Sequence, residues 1–64
     1  MEIRYTKHAV WRCKKRKIER VWVEETIKHP DIVRKEGTKY YAQKKLNGKA
    51  LEIIYTGEKY IRVI

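Results

Sequence analysis

Pro30 divides this chain into two halves with different hydrophobic periods. The residue before a proline is pushed out of the helical region, so a helix begun upstream stops there. Upstream, apolar side chains recur at helical spacing. Downstream of Asp31 they alternate or run together in segments rich in Tyr, Ile and Val, as strands do. That division points to the α+β class, with helices first and a sheet after them. The 64 residues make a single domain, 1–64. A domain of this size buries only about 60% of the surface its unfolded chain exposes. One cysteine, Cys13, cannot form an internal disulfide, so the fold depends on good packing or a partner.

Thr6 is a candidate N-cap, because its hydroxyl can accept from a backbone N–H two or three residues on. It predicts a helix from Lys7 to about Lys17. Residues 2–5, EIRY, form a short strand or an extended lead-in. At about 100° per residue, Ala9, Val10 and Cys13 gather on one side of the helix, whereas His8, Trp11, Arg12 and Lys15 spread across the other. A second helix spans Glu19 to Lys28, with an apolar arc of Trp22, Val23, Thr26 and Ile27, and Val21 off that arc. After Pro30, four segments read as strands: IVRKEG, TKYYAQKKL, KALEIIYT and KYIRVI. Asn47-Gly48 marks a hairpin, since both residues tolerate the positive φ of a type I′ turn. Thr56-Gly57-Glu58 gives a weaker second turn. The expected architecture is two N-terminal helices packed on an antiparallel sheet of three to four strands. KYIRVI is expected at its edge, partly guarded by Lys59 and Arg62.

Charge narrows the partners. Seventeen Lys and Arg against eight Asp and Glu give a net charge of +9 and a pI near 9.9. Such a surface captures polyanions without specifying which one. Nucleic acid is the first candidate and an anionic membrane surface the second. No stretch approaches the roughly 18 apolar residues of a spanning helix, and MEIRYTKH lacks the apolar region of a signal peptide. The expectation is a cytoplasmic protein with no membrane partner. One cysteine and two histidines make no recognisable zinc site, so no metal or cofactor is expected.

The order of motifs carries a resemblance. K-H-A-x-x-R-x-x-x-R-x-I (Lys7 to Ile18) precedes V-x-x-x-I-x-x-P (Val23 to Pro30). A tyrosine-bearing strand, a Gly turn, L-x-I-I-Y (Leu51 to Tyr55) and I-x-V-I (Ile61 to Ile64) follow. Together they resemble a family of small uncharacterised prokaryotic domains grouped with the RelE/ParE toxin superfamily. Relatives often carry Ser or Thr after the isoleucine as a cap for the second helix. Glu19 stands there in this chain and predicts a weaker cap. The resemblance implies a compact fold of two helices against an antiparallel sheet. The superfamily includes ribosome-dependent mRNA endoribonucleases and gyrase poisons neutralised by antitoxins, so it implies no single activity. It carries over no catalytic set.

The candidate residues therefore rest on their chemistry. Cleaving RNA through the 2′-OH needs a base, an acid and cations for the developing phosphorane charge. His8 is a proton carrier near neutral pH, Arg12 one turn on offers a phosphate-holding fork, and Arg16 flanks that face. These three form the candidate catalytic set. Binding asks for less: Lys7, Lys14, Lys15 and Lys17 supply phosphate contacts, Trp11 a stacking surface, and Arg62 a further cation on the sheet. Against this stand plainer readings. His8 packs against the sheet or caps the helix; Trp11 folds onto the sheet edge; the tyrosines at 40, 41, 55 and 60 are core and cross-strand pairs. The expected function is a toxin-type protein contacting RNA or the ribosome, with mRNA endoribonuclease activity. The alternative is a non-catalytic module that binds nucleic acid or an antitoxin. A homodimer through the edge strand is a further expected partner.

Overall fold

The computed structural model describes residues 2–64. The elements in chain order are β1 (Ile3–Tyr5), α1 (Lys7–Arg16), α2 (Arg20–Lys28), β2 (Ile32–Glu36), β3 (Lys39–Leu46), β4 (Lys49–Gly57) and β5 (Ile61–Val63). The strands form one sheet in the order β1-β5-β4-β3-β2. Hairpins join β2 to β3 and β3 to β4, and the second turns on Asn47 and Gly48, with φ of 52° and 77°.

Two expectations need correction. EIRY is a strand, and it pairs parallel with β5 in the register Ile3↔Ile61, Arg4↔Arg62 and Tyr5↔Val63. The sheet is therefore mixed and five-stranded, rather than antiparallel with three or four strands. β5 is an interior strand, so KYIRVI is not an edge; the edges are β1 and β2. No local turn could reveal the β1–β5 pairing, because it joins opposite ends of the chain. Ile61 N–H donates to Glu2 O at 2.9 Å and Thr6 N–H to Val63 O at 3.1 Å, tying β1 to β5 at both ends. The last turn also sits later than expected. β4 runs on to Gly57, and Glu58 N–H bonds Tyr60 O at 3.2 Å across the bend before β5.

Both helices end for local reasons. Thr6 Oγ1 accepts from Ala9 N–H at 3.1 Å, which starts α1. Lys17 stops it in the left-handed region (φ 55°, ψ 45°), where Ile18 N–H returns to Cys13 O at 2.8 Å. α2 follows at once with Glu19 as N-cap, and its side chain makes no capping bond. At the other end Lys44 Nζ donates to His29 O at 2.6 Å, satisfying a carbonyl of the terminating turn.

Only one face of the sheet is covered. Ala9, Val23 and Ile27 from the helices pack on Ile53, Ile61 and Val63, with Ile3, Tyr5, Cys13, Ile18, Leu51 and Tyr55 partly buried around them. Ala42, fully buried on β3, adds to the core. Thr26 is fully buried, with its hydroxyl satisfied by Trp22 O at 2.8 Å. The opposite face carries Arg4, Arg62, Thr56, Ile54, Tyr41 and Gln43, and β2 is exposed along its whole length. Among the described residues, no helix is long and apolar enough to cross a membrane.

Candidate functional site

α1 is built unlike an ordinary amphipathic helix. With its C-cap Lys17 it has six Lys or Arg and no acidic residue, and Ala9 alone is buried. Its apolar side is made of small groups, so one narrow stripe holds it down and the rest of its circumference meets solvent. Lys14, Lys15 and Arg16 occupy the last turn, where the helix dipole favours cations. Lys7 sits in the first turn, where it does not.

The outer crest follows the spacing i, i+3, i+7. Trp11 is 54% exposed there and is not folded onto the sheet. The His8 ring stacks on it at 5.9 Å between centroids and 23° between planes. Lys15 Nζ lies 4.8 Å from the centroid of the same indole. An imidazole, an indole and an ammonium thus form a continuous ridge facing solvent. His8 is exposed and does not pack between helix and sheet.

The other candidates divide between the flanks. Arg12 and Arg16 line a groove between α1 and β4. Lys14 and Lys17 line a second groove on the opposite flank, with Tyr5, Val10, Arg20 and Trp22. Of the catalytic candidates, His8 stands on the crest with Trp11, and Arg12 and Arg16 line the β4 groove. Arg62 lies on the uncovered face of the sheet, bordering a shallow hollow with Arg4, Lys7 and Tyr60. Lys7 and the N-cap Thr6 connect that hollow to α1. His29 caps the far end of α2.

The tyrosines divide by face. Tyr40 and Tyr55 are directly opposed across β3 and β4 and stack at 5.1 Å with 13° between planes. Burial raises the Tyr55 hydroxyl above its ordinary value, with Tyr40 adding to the effect. Burial likewise raises that of Tyr5, reinforced by Glu24 and opposed by Arg20. These are packing tyrosines. On the uncovered face, Arg4 lies 4.3 Å from the Tyr60 centroid and Arg34 4.8 Å from that of Tyr41. Sequence reasoning missed both arginines. Arg34↔Tyr41 was within reach, because the Gly37-Thr38 turn sets that register. Arg4 was not, because its neighbours come from the other end of the chain. Two cations of that face are paired, Arg4 bonded to Glu2 and Arg34 3.6 Å from Glu36. The positive charge that distinguishes this molecule is concentrated on α1.

No curated protein and no solved structure matches the chain. A family defined as a domain of unknown function, DUF4258, matches residues 5–63, from the end of β1 to the end of β5. The match spans both helices and the hairpins, and the chain belongs to the DUF4258 family.

Proposed function

We propose that this domain is a RelE/ParE-like, toxin-type protein that contacts RNA, free or on the ribosome, through the crest and flanks of α1. Trp11 carries the reading. Burying an indole is among the most stabilising uses a small domain can make of a residue, yet this one stands 54% exposed between His8 and Lys15. A base stacked on its face gains about 1–3 kcal/mol. The cations on both flanks support phosphate contacts on either side of that base.

Lys17 supports the same reading. It holds φ 55°, a conformation that glycine adopts without strain and other residues adopt at a cost of roughly 1 kcal/mol. A lysine there sacrifices stability and extends the basic surface beyond the end of the helix.

Cleavage is the further step of the proposal. A base on Trp11 brings its ribose near the His8 imidazole, a group suited to proton transfer. The position of Arg12 and Arg16 along the β4 groove supports the alternative, a binder without catalysis.

One titration and one induction experiment test both. With a fluorescent single-stranded RNA, Trp11→Ala is expected to weaken binding by about tenfold. Joint Lys14→Ala and Lys15→Ala substitution is expected to weaken it uniformly across sequences and to flatten the salt slope. In cells, induction with mapping of new 5′ ends reads cleavage, which His8→Ala should abolish while RNA binding through Trp11 and the flanking lysines persists. A folded wild-type chain that binds no RNA, or a silent Trp11→Ala, removes the proposal. Binding without new 5′ ends leaves the non-catalytic module.

A further inference from the structure

The groove on the other flank of α1, between that helix and the start of α2, has a volume of about 490 Å³. That falls within the roughly 300–1,000 Å³ of sites that take small ligands. Its lining residues run from Tyr5 to Trp22, so it is built from the end of β1, the two helices and the junction between them. Tyr5, Val10, Ile18 and Trp22 give it apolar and aromatic walls. Lys14, Lys17 and Arg20 line it as cations, against a single acid, Glu19.

Two features inside it suit a planar occupant. The Arg20 guanidinium carbon lies 5.1 Å from the centroid of the Tyr5 ring, setting a cation over an aromatic face. The Trp22 indole is half-buried at the groove rather than closed into the core. Unpaired bases stack on aromatic rings and on arginine planes. Lys14 joins this groove to the crest. It follows Trp11 by three residues, which makes the two neighbours on the helix surface, and it also lines the groove.

We propose that this groove is a second base-binding site, taking a nucleotide further along the RNA whose first base stacks on Trp11. The chain passes a phosphate over Lys14, turns the later base in against Trp22 and Tyr5, and sets its own phosphate between Lys17 and Arg20. This inference rests on RNA contact at the Trp11 crest. A planar ring joined by a short link to an anion answers both the apolar walls and the cations, whereas the carboxylates of an acidic peptide answer the cations alone. The site takes unpaired nucleotides, because a base inside a duplex is already stacked and paired.

The chain has two tryptophans, so its two indole N–H signals report the crest and the groove separately in the isotopically labelled intact protein, and Trp11→Phe assigns them. Tetrauridylate is expected to shift both signals in one saturating phase, and to bind about tenfold tighter than uridine monophosphate. Arg20 is exposed, and Arg20→Gln is expected to lower the affinity and diminish the Trp22 shift while the Trp11 shift persists. A Trp11 shift without a Trp22 shift overturns the second site and leaves RNA on the crest. Absence of both removes RNA contact itself. Inorganic polyphosphate that shifts Trp22 as far as tetrauridylate does would reduce the groove to a charge contact, and a blunt RNA duplex that does so would exclude base insertion. Hexaglutamate that shifts Trp22 where tetrauridylate does not would assign the groove to an acidic protein segment instead.

Discussion

α1 and α2 are nearly equal in length and adjacent in the chain, yet they serve the molecule differently. α2 buries Val23, Thr26 and Ile27, and its Arg20 and Lys28 are balanced by Glu24 and Glu25. α1 buries Ala9 alone, carries no acid, and turns its indole outward. Both helices rest on the same sheet, so the difference is not one of position. It lies in how much of each circumference the core uses. A helix that the core holds by a narrow stripe can dedicate the remainder to a ligand, and α1 has that remainder.

The largest expected effect tests this division directly. Val23→Asp puts an unpaired charge where the side chain is fully buried, and should cost about 4 kcal/mol or more. That is a large part of the total stability of a domain this small, so urea titration followed by circular dichroism should find the variant largely unfolded. Trp11→Ala should move the same midpoint by less than about 0.5 kcal/mol. Comparable losses at the two positions would break the comparison and make Trp11 part of the core.

A smaller effect isolates the far end of α2. Lys44 is mostly buried, and its ammonium donates to His29 O at 2.6 Å with Glu25 at 3.9 Å. Lys44→Met keeps the stem and removes the donor, leaving the His29 carbonyl without that bond. The expected loss is about 1–2 kcal/mol. Amide exchange should speed in the last turn of α2 and stay unchanged in α1. Equal loss of protection in both helices would show that they unfold as one unit and that the division is only chemical.

Local rules made part of this legible. Thr6, Pro30 and Asn47-Gly48 each act through their immediate neighbours, so both helices and the β3–β4 hairpin could be read from the chain. Glu19 as a poor cap could be read the same way, and its side chain makes no capping bond. The β1–β5 pairing could not, because a parallel pair between chain ends leaves no turn signal. Missing it misplaced the edges: KYIRVI was expected outside and lies in the interior of the sheet. On α1, spacing placed Ala9, Val10 and Cys13 on the packing side and left Trp11 among the solvated residues. It did not separate His8 from Arg12, because an (i, i+4) pair shares a side of the helix while its two ends face different neighbours. His8 leans on Trp11, and Arg12 meets β4.

The sharpest form of the comparison lies at the junction of the two helices. Lys17 ends α1 at φ 55° and ψ 45°, and glycine is the residue that relieves the strain of that conformation. Elsewhere in this fold positive φ falls on Gly37, Asn47 and Gly48, residue types suited to it. Lys17→Gly should therefore raise stability by about 0.5–1 kcal/mol, part of the relieved strain being offset by the greater freedom of glycine in the unfolded chain. The same change removes one cation from the flank of α1, and should weaken RNA binding and lower the salt slope by about one unit. Opposite signs in the two measurements are the signature of a residue kept for its ligand at the expense of the fold. A gain in stability with unchanged RNA affinity would place Lys17 outside the contact surface and confine that surface to the crest around Trp11. A loss of stability would mean that the lysine stem, packed along the groove with Trp22, outweighs its backbone strain, and that α1 is held to the fold by more than its narrow apolar stripe.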